Sequence, residues 1–112
     1  MMTTEYTKPR CVGCEGELAV LKSEIIAEKL QSLSGWSVDE SGKKIHRTFN
    51  FNGFGKTMAF VNAVAWIAHQ QGHHPDMEVS FNRCTVNYTT HAVDGITEND
   101  FICAKEVSDL LS

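Results

Sequence analysis

The fold is decided by residues 54–88, which read FGKTMAFVNAVAWIAHQQGHHPDMEVSFNRCTVNY. In the first half, apolar residues recur at alternating spacings of four and three, as in an amphipathic helix, and Gly72 is placed to end that helix. In the second half, apolar and polar residues alternate on both sides of Asn82-Arg83, which predicts two strands joined by a tight turn. The segment therefore predicts a long helix followed by a β-hairpin.

Each of these predicted elements has an apolar face. The helical stripe consists of Phe54, Met58, Val61, Ala65 and Ala68. The strand faces consist of Met77, Val79 and Phe81, then Cys84, Val86 and Tyr88. We interpret the helical stripe, with Trp36 and Trp66, as core or subunit contact rather than a cofactor site, because large aromatic side chains bury much area.

Outward from this segment, the preceding residues predict another hairpin and another helix. A turn cluster at residues 39–42 separates a strand at 36–38 from an alternating strand at 45–51. Ser23 is a candidate N-cap for a first helix that should end at Gly35.

A third helix is predicted at the other end of the chain, where Thr97 and Asp100 have the spacing of a capping box. We expect this helix to run to the C-terminus. The element order is then α-β-β-α-β-β-α, which predicts an α+β fold with a four-stranded antiparallel sheet and three helices on one face. Residues 1–21 are predicted to form an irregular N-terminal arm that carries a CxxC motif, and residues 22–112 a single domain.

Composition and charge argue against a nucleic-acid-binding protein and against a membrane protein. The chain has 112 residues and a net charge of -4, so direct nucleic-acid binding, which favours a basic stripe, is not expected. No stretch approaches the ~18 apolar residues of a membrane span, and the N-terminus lacks the apolar core of a signal peptide. We therefore expect a cytoplasmic protein in which the four cysteines remain thiols.

Four of the five histidines lie near predicted element boundaries: His69, His73, His74 and His91. Gly72 lets the chain turn after the helix, and Pro75 favours an extended conformation at His74, so the adjacent rings should point in different directions. Imidazole both gives and takes protons near neutral pH. An elimination of water needs one acid and one base and no redox cofactor, and histidines alone could supply both.

The histidines belong to a longer pattern that resembles the signature of the pterin-4a-carbinolamine dehydratases. The matching residues are His69-Gln70-Gln71-Gly72-His73-His74-Pro75, Phe81, Thr89-Thr90-His91 and Asp100, with Leu33-Ser34-Gly35-Trp36 as lead-in. The resemblance covers about residues 20–110. It implies loss of water from 4a-hydroxytetrahydrobiopterin to give quinonoid dihydropterin, in tetrahydrobiopterin recycling linked to an aromatic amino-acid hydroxylase. It also implies a homodimer or homotetramer that needs neither a metal nor another cofactor.

The resemblance also implies which residues bind the pterin and act on it. One wall of the site would consist of Gly72, His73, His74, Pro75 and Asp76, and the other of Thr89, Thr90 and His91. His73 and His91 are the candidates for proton transfer, and His74 would orient the 4a-hydroxyl or share the acid role. We expect the cluster to hold fewer protons at neutral pH than isolated histidines, because burial and neighbouring imidazolium groups both disfavour charge.

Two residues of the signature keep alternative interpretations. Asp100, the fourth candidate catalytic residue, could orient a histidine or contact the substrate, or it could serve only in the capping box. His69 could lie at the rim of the pocket or be a partly exposed helix residue.

Two other function classes are weighed against the dehydratase. Cys11 and Cys14 form a CxxC, and His69 and His73 are four residues apart, but structural zinc needs four ligands and no second CxxC is present. Animal members of the family also serve as dimerisation cofactors of a homeodomain transcription factor. A pure interaction module would not need the three signature histidines together, which favours the enzyme.

Overall fold

The computed structural model describes residues 9–12 and 18–112. Its helices are α1 (Ser23–Gln31), α2 (Phe54–Gln71) and α3 (Glu98–Asp109), and its strands are β1 (Ser37–Val38), β2 (Ile45–Asn50), β3 (Asp76–Ser80) and β4 (Arg83–Tyr88). One short 3-10 turn, His91–Val93, precedes α3. The predicted order of helices and strands and the α+β class are confirmed. The 3-10 turn was not predicted, and α1 ends before the predicted Gly35.

The four strands form one antiparallel sheet in the order β1-β2-β4-β3. In the register, Ile45 pairs with Tyr88 and Met77 pairs with Val86. The apolar face of β4, Cys84, Val86 and Tyr88, is fully buried, as its alternation predicted. The strand β4 lies inside the sheet, between β2 and β3, and the chain continues from its last residue into the loop before α3.

The buried face of α2 differs from the predicted stripe. The buried residues are Thr57, Phe60, Val64, Ile67 and Ala68, so only Ala68 belongs to both sets. Phe54 is 63% exposed, and Ala65 is also exposed. The prediction of a core stripe was wrong because α2 is apolar on more than one side, and the polar Thr57 belongs to the buried row. The alternative, a subunit contact, stays a prediction.

The two tryptophans, predicted together, lie in different environments. Trp36 is buried, and its indole nitrogen donates to the Ser108 hydroxyl at 2.8 Å. Trp66 is 59% exposed. The core interpretation therefore holds for Trp36 and not for Trp66.

The β3–β4 turn lies one residue earlier than predicted. Ser80 pairs with Arg83, so the two turn residues are Phe81 and Asn82, and Arg83 begins β4. Phe81 is 66% exposed and does not continue the apolar face of β3. In this register Val79 pairs with Cys84 and Met77 pairs with Val86.

The third helix begins as predicted. Thr97 is its N-cap, and Asp100 accepts from the Thr97 backbone nitrogen, which completes a capping box. The helix ends at Asp109, three residues before the C-terminus to which it was predicted to run, and Leu111 is exposed. None of the helices in the described ranges is long and apolar enough to cross a membrane.

Candidate active site

His73 follows α2, and a glycine cap turns the chain there so that His73 enters the interior. Gly72 adopts a left-handed conformation with φ of 65°, which glycine adopts without the steric cost that other residues bear. The backbone nitrogens of Gly72 and His73 both donate to the Ala68 carbonyl, at 2.9 and 3.3 Å. The chain then leaves the helix axis, and His73 lies in the interior with only 6% of its surface exposed.

Asp100 is the partner of His73. Its Oδ1 lies 2.6 Å from Nε2 of His73, and its Oδ2 accepts from the Thr90 hydroxyl and from the Thr97 backbone nitrogen, both at 2.9 Å. Asp100 is fully buried. One carboxylate therefore belongs to the capping box of α3 and also hydrogen-bonds His73. A contact of Asp100 with the substrate stays a prediction.

Thr90 extends this network toward the exposed histidines. Its hydroxyl lies 2.8 Å from that of Thr97 as well as bonding Asp100, and its backbone nitrogen donates to the Gly95 carbonyl at 2.9 Å. These hydrogen bonds of Thr90 fix the start of the 3-10 turn that carries His91. The network thus connects the end of α2, the end of β4 and the start of α3.

The proton affinity of His73 reflects its carboxylate partner. Burial alone lowers the pKa of His73, but the hydrogen bond and the charge of Asp100 raise it more, so the pKa lies above its ordinary value. For His73 this direction is opposite to the lower proton occupancy that was expected of the cluster as a whole. The physical reason is that a buried anion 2.6 Å from the ring stabilises the imidazolium form.

His91 and His74 lie at the surface. Nε2 of His91 is 3.5 Å from Oδ2 of Asp76, and both side chains are largely exposed. His74 is also exposed, and the following Pro75 is half-buried. The structure therefore brings Asp76 beside His91 and ties Thr90 to Asp100, with His73 inside the network and the two other rings accessible.

The family of the chain follows from comparison with known proteins. The sequence profile described as "Pterin 4 alpha carbinolamine dehydratase" matches residues 19–110. The chain belongs to this family. The matched range contains every signature position, from His69 to Asp100.

Relatives with this family name cover nearly the whole chain. A protein of Legionella pneumophila (strain Corby), named "Putative pterin-4-alpha-carbinolamine dehydratase", is 49% identical over 111 residues, 98% of each chain. A Nitrosomonas eutropha protein of the same name is 50% identical over 103 residues, which cover 91% of this chain and 89% of that one.

Two solved structures share the fold. The crystal structure of a "transcriptional coactivator/pterin dehydratase" from Brucella melitensis superposes with a TM-score of 0.80 at 29% identity, over 84% of this chain and 100% of that one. A pterin dehydratase-like protein described as a RuBisCO assembly factor of the alpha-carboxysome matches with a TM-score of 0.59 at 19% identity, over 68% of this chain and 88% of that one. At that identity the second similarity concerns the fold alone.

The remaining signature residues of this pterin-4a-carbinolamine dehydratase family member have distinct surroundings. The Thr89 hydroxyl donates to the Lys43 carbonyl, which ties the end of β4 to the β1–β2 loop. His69 is exposed and stacks on Trp66, with ring centroids 5.2 Å apart. His69 and His73 therefore do not share a face, because α2 ends between them.

One neighbour of His73 was missed as a site residue. Tyr88, predicted only as core, stacks on His73 with ring centroids 5.8 Å apart and an interplanar angle of 11°. Burial raises the pKa of Tyr88, so the phenol stays protonated and the stacked ring is neutral. Its position at the end of β4, two residues before Thr90, was the signal that could have indicated this role.

The CxxC motif is only partly within the described residues. Cys14 lies outside them, whereas Cys11 is half-buried beside Cys103. Among residues 9–12 and 18–112, no three His, Cys, Asp or Glu side chains are grouped as metal ligands.

Proposed function

We propose that the protein catalyses the dehydration of 4a-hydroxytetrahydrobiopterin to quinonoid dihydropterin. The observation that carries this proposal is the buried His73–Asp100 pair next to two accessible histidines, in a chain of the pterin-4a-carbinolamine dehydratase family. In this reaction the bond between C4a and the hydroxyl oxygen breaks, a proton joins the departing oxygen, and another proton leaves the neighbouring ring nitrogen. One acid and one base complete it.

The surroundings of the histidines suggest a division of roles. His73 is suited to the acid role, because Asp100 raises its pKa and favours the imidazolium form near neutral pH. Since its Nε2 faces Asp100, Nδ1 is the nitrogen left for the substrate. His91 is exposed beside Asp76 and is suited to take the proton, while His74 would orient the 4a-hydroxyl.

The pterin would lie between the two chain segments that meet at this network. One wall would consist of residues 72–76, which include His73 and His74, and the other of Thr89, Thr90 and His91. Thr90 and Asp100 are held by buried hydrogen bonds, so the wall that carries His91 needs little reorganisation to bind. We further propose that the reaction serves tetrahydrobiopterin recycling in the cytoplasm, alongside an aromatic amino-acid hydroxylase.

We also propose that the chain works as a homodimer or homotetramer. The strand β3 is an edge of the sheet, and large apolar side chains are exposed at that edge and near it: Val79, Phe81 and Phe54. The Thr57 hydroxyl donates to the carbonyls of both Gly53 and Phe81 at 2.9 Å, which holds the start of α2 against the β3–β4 turn. An exposed edge with apolar neighbours is stabilised by pairing with another copy. Sedimentation velocity, with Phe81→Ser as the disrupting variant, tests this.

A stopped-flow assay of 4a-hydroxytetrahydropterin dehydration tests the proposed reaction. We expect added protein to accelerate water loss over the spontaneous rate without added metal or nucleotide. The His73→Ala variant should lose roughly 10²–10⁴-fold of this acceleration, the usual effect of a positioned acid or base. His46→Ala is the matched control, because His46 lies on β2 and β4 separates it from Asp76. No acceleration by the wild-type chain would refute the proposed function.

A further inference from the structure

Two thiols outside the histidine network face each other across the N-terminal arm and α3. The Sγ atoms of Cys11 and Cys103 are 3.6 Å apart, although the residues are separated by 92 positions in the sequence. Both are free thiols, and the proposed dehydration uses neither. Two nucleophilic sulfur atoms in contact are within reach of forming a bond.

Hydrogen bonds fix the segment that carries Cys11. The Cys11 nitrogen donates to Oε1 of Gln71 at 2.8 Å, and Nε2 of Gln71 donates to the Pro9 carbonyl at 3.3 Å. On the other side, the Val12 nitrogen donates to Oδ1 of Asn99 at 3.0 Å, and Nδ2 of Asn99 donates back to the Val12 carbonyl at 2.8 Å. The end of α2 and the start of α3 thus hold the arm from both sides, and the contact between the thiols is part of this anchored geometry.

The two thiols differ in access and in proton affinity. Cys11 is half-buried, whereas Cys103 is fully buried on α3. The hydrogen bond from Cys103 lowers the pKa of Cys11. Because the thiolate is the reactive form of cysteine, Cys11 is the sulfur that an oxidant reaches and reacts with first. Cys103 is then positioned to react with the oxidised Cys11.

We propose that Cys11 and Cys103 are a redox-modification site that forms a reversible disulfide when the protein meets a peroxide. The Cys11 thiolate attacks a peroxide oxygen, the O–O bond breaks, and the released hydroxide takes a proton to become water, leaving a sulfenic acid on Cys11. The Cys103 sulfur then attacks the Cys11 sulfur, the S–O bond breaks, and the departing hydroxyl leaves as water with the Cys103 proton. The two thiols lose two electrons, and the peroxide gains them.

The disulfide would join the N-terminal arm covalently to α3. The two sulfur atoms need to approach from 3.6 Å to about 2.05 Å. Cys103 lies three positions after Asp100 on the same helix, so the link would anchor the arm directly behind the histidine network. Cross-linking residues 92 positions apart restricts the unfolded chain strongly, and we expect the midpoint of thermal unfolding to rise by roughly 5–20 °C.

Peptide mapping of the full chain after hydrogen peroxide treatment tests the proposal, with dithiothreitol-treated protein as reference. Trypsin and a Glu-specific protease together yield residues 11–15, 84–98 and 99–105 as separate peptides, so Cys84 and Cys103 are resolved. We expect a disulfide between residues 11–15 and 99–105, reversed by dithiothreitol. Cys14→Ser is the matched variant, because it leaves Cys11 as the sole cysteine of its peptide, and the link should persist.

Thermal unfolding provides the second measurement. The peroxide-dependent rise in the unfolding midpoint should be present in wild type, Cys14→Ser and Cys84→Ser, and absent in Cys11→Ser, whose substitution lies at a half-exposed position. A Cys11–Cys14 link in wild type, or oxidation of Cys11 in Cys14→Ser without a bond to Cys103, would overturn the proposal. Neither measurement uses dehydratase activity, so the outcome is independent of the proposed function.

Discussion

Replacing Asp100 by asparagine removes the charge at the centre of the network and preserves the shape of the side chain. In the wild type, the Asp100 carboxylate accepts from Thr90 and the Thr97 nitrogen on one oxygen and contacts His73 at 2.6 Å with the other. In Asp100→Asn, the amide oxygen can keep the Thr90 and Thr97 bonds while the amide nitrogen faces His73. The ring must then accept a hydrogen bond, which requires its neutral form.

The pH dependence follows from the sign of the wild-type shift. Because the folded-state pKa of His73 is raised, protonated His73 contributes stability that is fully present below the unfolded pKa of about 6.5. That contribution is lost as the pH rises through the higher folded-state value. In Asp100→Asn both raising causes that come from Asp100 are gone, while burial, the largest cause, still lowers the pKa of His73 and only the smaller contribution of Cys11 raises it. The pKa of His73 should therefore fall below its ordinary value, and the contribution should disappear.

The expected loss in free energy of unfolding follows from the number and type of hydrogen bonds that Asp100 makes. A charge-assisted pair becomes a neutral one, and hydrogen bonds to charged groups contribute roughly 1.5–3 kcal/mol. We therefore expect Asp100→Asn to lower the free energy of unfolding by roughly 1–3 kcal/mol near pH 6 and by less near pH 8.5. Asp100→Ala leaves the His73 cation and the Thr97 nitrogen without a partner and should cost roughly 3–5 kcal/mol.

Urea unfolding from pH 5 to 8.5 and NMR titration of the His73 ring measure these changes. Asp76→Asn is the matched control, because it neutralises an exposed carboxylate 3.5 Å from His91 and should change stability by less than about 0.5 kcal/mol. An unchanged His73 titration midpoint in Asp100→Asn would refute the assignment of Asp100 as the cause of the raised pKa.

Further variants separate chemistry, buried hydrogen bonding and backbone strain. His91→Ala should lower the catalysed rate by roughly 10²–10⁴-fold. It should leave the unfolding midpoint unchanged, because the His91 ring is exposed. Wild-type turnover of this variant would contradict the proposed role of His91. Thr90→Val should lower the free energy of unfolding in urea by roughly 1–3 kcal/mol, because it deprives Asp100 of a buried donor. Thr48→Val, at an exposed site, should lower it much less. Equal losses of free energy in the two variants would contradict the network. Gly72→Ala should lower the free energy of unfolding by roughly 1 kcal/mol. The loss comes from the φ of +65° alone, because nothing lies within 4 Å of a new Cβ. Gly55→Ala, equally open, should be neutral or stabilising, and the reverse order would contradict this account.

The order of elements was predictable from the sequence, and the packing of α2 was not. The alternation in β2 and β4, the glycine at position 72 and the capping box at Thr97 are local signals, and each one is confirmed, whereas Val79 and Phe81 of the predicted β3 face are exposed. The side of α2 that packs on the sheet depends on a choice between apolar rows. Thr57 belongs to the buried row because its hydroxyl donates to the carbonyls of Gly53 and Phe81, and the second of these bonds exists only once the β3–β4 turn is in place.

The candidate site shows the same division between local and long-range information. The identity of the histidines and of Asp100 could be predicted, because the motif carries them. The direction of the His73 pKa shift could not, since it depends on a carboxylate 27 positions away in the sequence. The contact between Cys11 and Cys103 depends likewise on the anchoring of the arm by Gln71 and Asn99.

The double role of Asp100 links folding of the chain to the chemistry we propose. A carboxylate has two oxygens, and here one serves mainly the start of α3 while the other holds His73. A displacement of α3 disturbs both interactions, because it also moves the oxygen that contacts His73. The buried Thr90 couples both to the turn that carries His91. Measurements of stability and of turnover across variants of this network should therefore fall together, whereas variants of the exposed His91 should change turnover alone.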